Sequence, residues 1–298
     1  MAIESEVLVI GGGLAGLTSA LAAARAGADT RLVSHTQSTL RMASGLIDIL
    51  GYAPDGEGPL PDPYAAIPDL HEAHPYRTVG VETVRTAMSL FDDAVPTYRG
   101  EHTDRNALAP THGGTIKPTA RYPASVAAGL ASDDRDVLLV GLESMTDFDA
   151  GRAADHLSAA GVPFDVRGAT IRFPGGLRAD ATVTRYAKLL DTDRTVSLSG
   201  RERPARAALA ERVAPELDGE SRVGFPAILG DDAAGAVREE LGDRLGAEIF
   251  EVPMGPPSLP GLRLEEQLCS ALGDAGVSIE TGNPVTEFDG DNRVERVT

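Results

Sequence analysis

The apolar positions of this chain fall into two kinds of run. Short continuous runs, Val7-Leu8-Val9-Ile10 and residues 136–142, have the length and flanking residues of strands buried on both faces. Longer stretches with apolar residues three and four apart predict helices over 14–26, 81–95, 149–160, 179–190, 204–217, 233–245 and 259–275. In the second of these, Val84, Met88 and Phe91 share one face, and Gly161 and Gly276 stand where two of the others should stop. Further strands are predicted over 30–33, 162–166 and 277–280. Strand alternating with helix is the pattern of an α/β protein with a parallel sheet. Residues 285–288 and 293–297, joined by Asp289-Gly290-Asp291-Asn292, read as a β-hairpin. Residues 52–68 carry many Pro, Gly and Asp residues and read as a surface connection.

The first strand runs directly into Gly11-Gly12-Gly13-Leu14-Ala15-Gly16, and Gly11, Gly13 and Gly16 have the G-x-G-x-x-G spacing. Gly11 permits a tight turn, Gly13 lets backbone N–H groups approach a phosphate, and Gly16 lets the following helix pack closely on the sheet. The positive end of that helix would face the phosphate. Glycine turns also arise for purely structural reasons, but the strand before and the helix after favour nucleotide or flavin binding. In a dinucleotide fold an acidic residue roughly 20 positions on holds the adenosine ribose. Here Val33 is followed by Ser34 and His35. Either adenosine is held by other contacts, or the ligand lacks adenosine, as in FMN.

The 298 residues, 42% of them apolar, suffice for one large or two modest domains. No apolar stretch approaches the roughly 20 residues of a membrane helix, and the N-terminal run is too short for a signal peptide, so a cytoplasmic protein is expected. The 45 acidic residues against 27 basic ones give a net charge of −18, which argues against nucleic acid as a partner. Lys117 and Lys188 are the only lysines, and the acids are scattered rather than gathered in a tail. That balance predicts a protein from a salt-loving organism, where concentrated salt screens self-repulsion. A single cysteine, Cys269, excludes an internal disulfide and a cluster ligated by this chain alone. No metal site is expected: His71 and His74 are three apart, but Pro75 interrupts the helix that would aim both at one ion.

Several longer motifs carry more information. Ser44-Gly45-Leu46-Ile47-Asp48-Ile49-Leu50, His74-Pro75-Tyr76, Phe225-Pro226-Ala227-Ile228-Leu229-Gly230 and Pro256-Pro257-Ser258-Leu259-Pro260-Gly261-Leu262-Arg263-Leu264 follow the opening glycine turn in this order. With it they resemble the glucose-inhibited-division/fumarate-reductase-like flavoproteins, and more closely the B-subunit family of anaerobic glycerol-3-phosphate dehydrogenases. The resemblance covers almost the whole chain. It implies a Rossmann-like flavin-binding domain over 1–55 and 251–298, carrying the C-terminal hairpin, with an inserted α/β domain over 56–250. Members of the family return after the hairpin with another strand, a glycine-rich turn and a closing helix, a part this sequence does not reach.

The resemblance also implies a cofactor, FMN or FAD, gripped by Gly11, Gly12, Gly13, Leu14, Ala15 and Gly16, with Ser34 nearby and Arg41, Ser44 and Gly45 beside the flavin ring. Without it, the segment around Ser44 reads as a turn before a buried segment. The implied reaction is oxidation of sn-glycerol 3-phosphate to dihydroxyacetone phosphate. The implied partners are a catalytic flavoprotein, the A subunit, and an iron–sulfur protein, the C subunit, which links the pair to membrane quinone. The anionic substrate calls for cations, and Lys117, Arg121 and Arg263 are the candidates, although surface or structural roles are the commoner fate of such residues. His74 is the one candidate base, and its motif also reads as a simple turn. Two rival readings stand beside this one: another oxidoreductase using a nicotinamide dinucleotide, and a non-catalytic assembly protein that keeps the fold.

Overall fold

In the computed structural model, which describes residues 3–177, 181–291 and 294–298, the chain begins with strand β1 (Val7–Ile10), helix α1 (Leu14–Arg25) and strand β2 (Thr30–Ser34). β1 lies parallel to β2 with Val7 opposite Thr30 and Ile10 opposite Val33. The continuous apolar run predicts a strand buried on both sides, yet β1 is an outer strand of the three described in this sheet and Ile10 is 59% exposed. β2 is the central strand of the three described, and its alternate residues Thr30, Leu32 and Ser34 are buried.

The chain continues through a short helix α2 (Pro75–Val79) into the amphipathic α3 (Val81–Ala94), whose Val84, Met88, Phe91 and Ala94 turn inward as their spacing predicts. Two small antiparallel pairs follow: β3 (Tyr98–Arg99) with β6 (Tyr122–Pro123), and between them β4 (Ala107–Pro110) with β5 (Ile116–Thr119). Neither has the strong alternation that marks a strand in sequence.

A second parallel sheet is built from β7 (Val137–Leu142), α4 (Ala150–Ala159), β8 (Val166–Ile171), α5 (Val183–Asp191), the hairpin β9 (Thr195–Leu198) and β10 (Arg201–Pro204), α6 (Ala205–Val213), β11 (Arg222–Pro226), α7 (Ala234–Leu245) and β12 (Glu248–Val252). Its order is β12-β11-β7-β8, and every pairing is parallel. All six residues of β7 are buried, as a central strand requires. α4 starts where the Asp149 side chain accepts the Arg152 N–H at 3.0 Å. The strand expected over 162–166 begins only at Val166, because Pro163 has no N–H to give to a ladder. The helix expected over 179–190 is seen from Val183, and its first two expected positions lie outside the described residues.

The chain then returns to the first lobe through α8 (Leu259–Asp274) and β13 (Ser278–Thr281), which pairs parallel to β2. The terminal hairpin is present as β14 (Phe288–Asp289) and β15 (Arg296–Val297), with Phe288 opposite Val297; positions 292 and 293 of its expected turn and strand lie outside the described residues.

Two cores result. One packs Leu17, Leu21 and Leu32 with Leu264, Leu268 and Leu272; the other lies around β7, β11 and β12. Tyr64, Ile67, Leu70 and the inward face of α3 join the first core. The proline-rich connection over 52–68 is therefore anchored at its far end by Tyr64 and Ile67 rather than lying wholly on the surface.

Candidate functional site

The turn between β1 and α1 uses each glycine for a different physical reason. Gly11 has φ +111°, outside the reach of most side chains, and its N–H bonds the Val33 carbonyl at 2.8 Å. A Cβ on Gly16 would run into the Gly11 carbonyl oxygen, so glycine there lets α1 close onto the turn. Gly13 caps α1 with no side-chain acceptor, and no acidic residue stands in the first turn. The first backbone bond of the helix is from Leu17 N–H to Gly13 O, which leaves the N–H groups of Leu14, Ala15 and Gly16 ahead of it. That is a cradle for an anion, and a flavin's phosphates fit it.

Beside the cradle is a cavity of about 410 Å³ between the ends of β1 and β2 and the loop after β13. Gly11 to Gly13, Ser34 to Gln37 and Asn283 to Val285 line it. Sequence reasoning missed Asn283, Pro284 and Val285, which only the pairing of β13 with β2 brings to the glycine turn.

Ser34 stands under the turn. Its hydroxyl accepts the Gly12 N–H at 3.2 Å and donates to the Thr36 carbonyl at 2.8 Å, so it holds the loop in shape. Arg41 and Gly45 also have evident structural partners. The Arg41 guanidinium meets Glu265 at 2.5 Å and Gln37 at 3.0 Å, and its carbonyl accepts from Ser258 N–H at 3.1 Å. Ser44 Oγ accepts the Leu46 N–H at 3.4 Å. Gly45 has φ +80°, and a Cβ there would clash with Pro260 at the start of α8. Its carbonyl accepts from the Tyr98 hydroxyl at 2.6 Å.

The four remaining candidates are not brought together. His74 Nδ1 accepts the Tyr76 N–H at 3.1 Å and caps α2, which is the turn role its motif also allowed. Lys117 pairs with Asp48 at 2.7 Å. Arg121 is buried and grips Asp92 through two bonds, 2.7 and 2.9 Å. Burial works against its charge, but Asp92 outweighs burial and raises its pKa. Arg263 reaches from α8 to Glu251 of β12, with Nη1 donating to Oε2 at 2.6 Å, while Nη2 donates to the Gly230 carbonyl. Glu251 is fully buried and also accepts the Leu229 N–H at 2.7 Å; burial pushes its pKa up, and Arg263 pulls it below the usual carboxylate range. Each of the three cations is therefore neutralised within the chain. No group of three or more His, Cys, Asp or Glu residues is arranged to hold a metal among the described residues.

A glycine turn between a parallel strand and an uncapped helix, with a cavity at the strand ends, defines a Rossmann-like nucleotide-binding fold. The FAD binding domain family matches residues 6–297. The chain is 70% identical over 289 residues to the probable B subunit of anaerobic glycerol-3-phosphate dehydrogenase from Halobacterium salinarum, covering 97% of this chain and 68% of that one. It is 30% identical over 306 residues to the B subunit of the anaerobic glycerol-3-phosphate dehydrogenase of Vibrio cholerae, covering 98% of this chain and 68% of that one. In Pectobacterium atrosepticum the corresponding B subunit is 30% identical over 293 residues, 93% of this chain and 66% of its own. The chain belongs to the B-subunit family of anaerobic glycerol-3-phosphate dehydrogenase.

Proposed function

We propose that this chain is a flavoprotein component of a quinone-linked glycerol-3-phosphate dehydrogenase, working with a second, catalytic flavoprotein and an iron–sulfur protein that links the pair to the membrane. The complex oxidises sn-glycerol 3-phosphate to dihydroxyacetone phosphate. The observation that carries this reading is the cradle at the start of α1, continuous with the cavity over the ends of β1 and β2. The N–H groups of Leu14, Ala15 and Gly16 would hold the pyrophosphate of FAD. His35 to Gln37 and Asn283 to Val285, in a cavity lined by no carboxylate, would hold the adenosine. Arg41, Ser44 and Gly45, kept in place by Glu265, Leu46 and Pro260, would flank the ring. Bound flavin supplies hydride acceptance from the substrate carbon.

Purified protein should be yellow, with mass analysis of the released cofactor giving FAD. Substitution Gly13→Val should abolish retention, because its side chain would stand between the N–H groups and the phosphate. A protein that takes up neither FAD nor FMN would end this reading.

The neutralised Lys117, Arg121 and Arg263 favour a second reading, in which substrate is converted on the partner flavoprotein and this chain supplies flavin and an assembly surface. Substrate oxidation by this chain alone, with an artificial electron acceptor, would exclude it. No helix among the described residues is long and apolar enough to cross a membrane, and the link to the membrane falls to the iron–sulfur partner.

A further inference from the structure

Arg238 on α7 is the one arginine or lysine among the described residues that is not exposed and has no carboxylate within ion-pair distance. In a chain with 45 acidic residues against 27 basic ones, such a cation should easily find a partner. Its only side-chain hydrogen bond among the described residues is a long one, 3.5 Å, from Nη1 to the Ala124 carbonyl, and its Nε is buried without an acceptor among them. Burial lowers its pKa, and Arg263 and Arg99 add to that effect against the opposing pull of Glu251.

Arg238 lines a cavity of about 610 Å³ where the two lobes meet, walled by the starts of α7 and α8 and by residues 96–99 and 123–125. Exposed Arg99 is at the same cavity. Three more polar atoms of residues on its wall are buried without partners: Ser125 Oγ, Asp231 Oδ1 and Arg263 Nε. The start of α7 contributes no free anion grip, because Asp191 already accepts the N–H groups of Asp231, Asp232 and Ala233. The unmet groups are thus side chains: guanidinium donors, the Ser125 hydroxyl, and a carboxylate that accepts, with Asp232 and Glu266 also on the wall. A simple anion answers the guanidinium donors and not the carboxylate; an uncharged polyol answers the carboxylate and leaves Arg238 unpaired.

We propose that this interlobe cavity binds a small hydroxylated oxyanion, a polyol phosphate or a hydroxy acid, with the anionic group on Arg238 and Arg99 and a hydroxyl on Asp231. A planar guanidinium suits either oxyanion. The site is separate from the glycine turn and does not rest on the flavin reading.

Calorimetric titration at fixed KCl with glycerol 3-phosphate, glycerate, inorganic phosphate and glycerol tests this. Glycerol 3-phosphate or glycerate should bind saturably, and more tightly than inorganic phosphate or glycerol. The tighter of the two identifies phosphate or carboxylate as the anionic group. R238Q should weaken that binding roughly tenfold or more, the scale of one charge-assisted bond. R212Q, at an exposed arginine of α6, should not. R99Q, at an exposed position, gives a weaker effect in the same direction and serves if R238Q does not fold. No saturable binding of either ligand overturns the proposal. So does binding that survives R238Q and disappears in Gly13→Val, which would place the anion at the glycine turn.

Discussion

Glu251 and Arg263 show how one residue pair can carry the join between two lobes. Fully buried Glu251 is tolerable because Arg263 and the Leu229 N–H satisfy its oxygens. Arg263→Met should therefore cost about 3–5 kcal/mol, since it leaves a buried charge unpaired, and the double change with Glu251→Leu should recover much of that loss. Chemical denaturation of the three variants measures both. The same logic sets an acid limit. The folded-state pKa of Glu251 is depressed, as is that of Asp133, which hydrogen bonds from Arg135 hold down at about 2. Their stabilisation is complete above the unfolded carboxylate range near pH 4 and is lost as pH falls toward 2. Stability should drop across that window, and a flat profile from pH 5 to 2 would contradict it. The sequence could nominate Arg263, Arg121 and Lys117 as cations but could not reveal their carboxylates. Asp92 is 29 positions from Arg121, and Asp48 comes from a separate segment altogether. Arg238 carried no signal, for what distinguishes it is the lack of a partner.

Among the elements, α1 and α8 matter most for the site. The glycine spacing and the length of α1 were legible, because its apolar period and its breakers are local. So was α8, within one residue of its expected end. The outer position of β1 among the described strands was not, since strand order depends on which distant strand pairs with β2. The strands β4, β5, β9 and β10 were missed because short paired segments owe their form to each other rather than to their own pattern. Gly45 illustrates the overlap of local and distant demands: it takes φ +80° and leaves room for Pro260 of α8. Gly45→Ala should cost about 2–4 kcal/mol, from the left-handed backbone and the clash together, and should loosen flavin retention. Thermal unfolding with and without added FAD checks both effects; an unchanged midpoint would mean that the segment adjusts freely.

Across the whole molecule, net charge dominates. With −18 spread over 298 residues, the compact state is opposed by its own repulsion in dilute buffer. In molar KCl the screening length falls to about 3 Å, so distant repulsions vanish while contact pairs such as Arg121–Asp92 at 2.7 Å persist. The unfolding midpoint should rise with KCl, by roughly 2–4 °C for each kcal/mol of relieved repulsion in domains of this scale. Equal stability in dilute buffer would count against adaptation to salt. One feature of α8 then acquires a mechanical meaning. Gly261 lies flush against the carbonyls of Leu40 and Ala43, and Arg263, two residues on, holds Glu251 of the other lobe. These anchor points are only about 3 Å apart along the helix axis. If the second lobe rocks about this turn, its lever arm would be shortest beside the segment at Gly45 and longest at strand β8, at the other edge of the sheet from β12. The loop proposed to flank the flavin ring would be the place least displaced by such a motion.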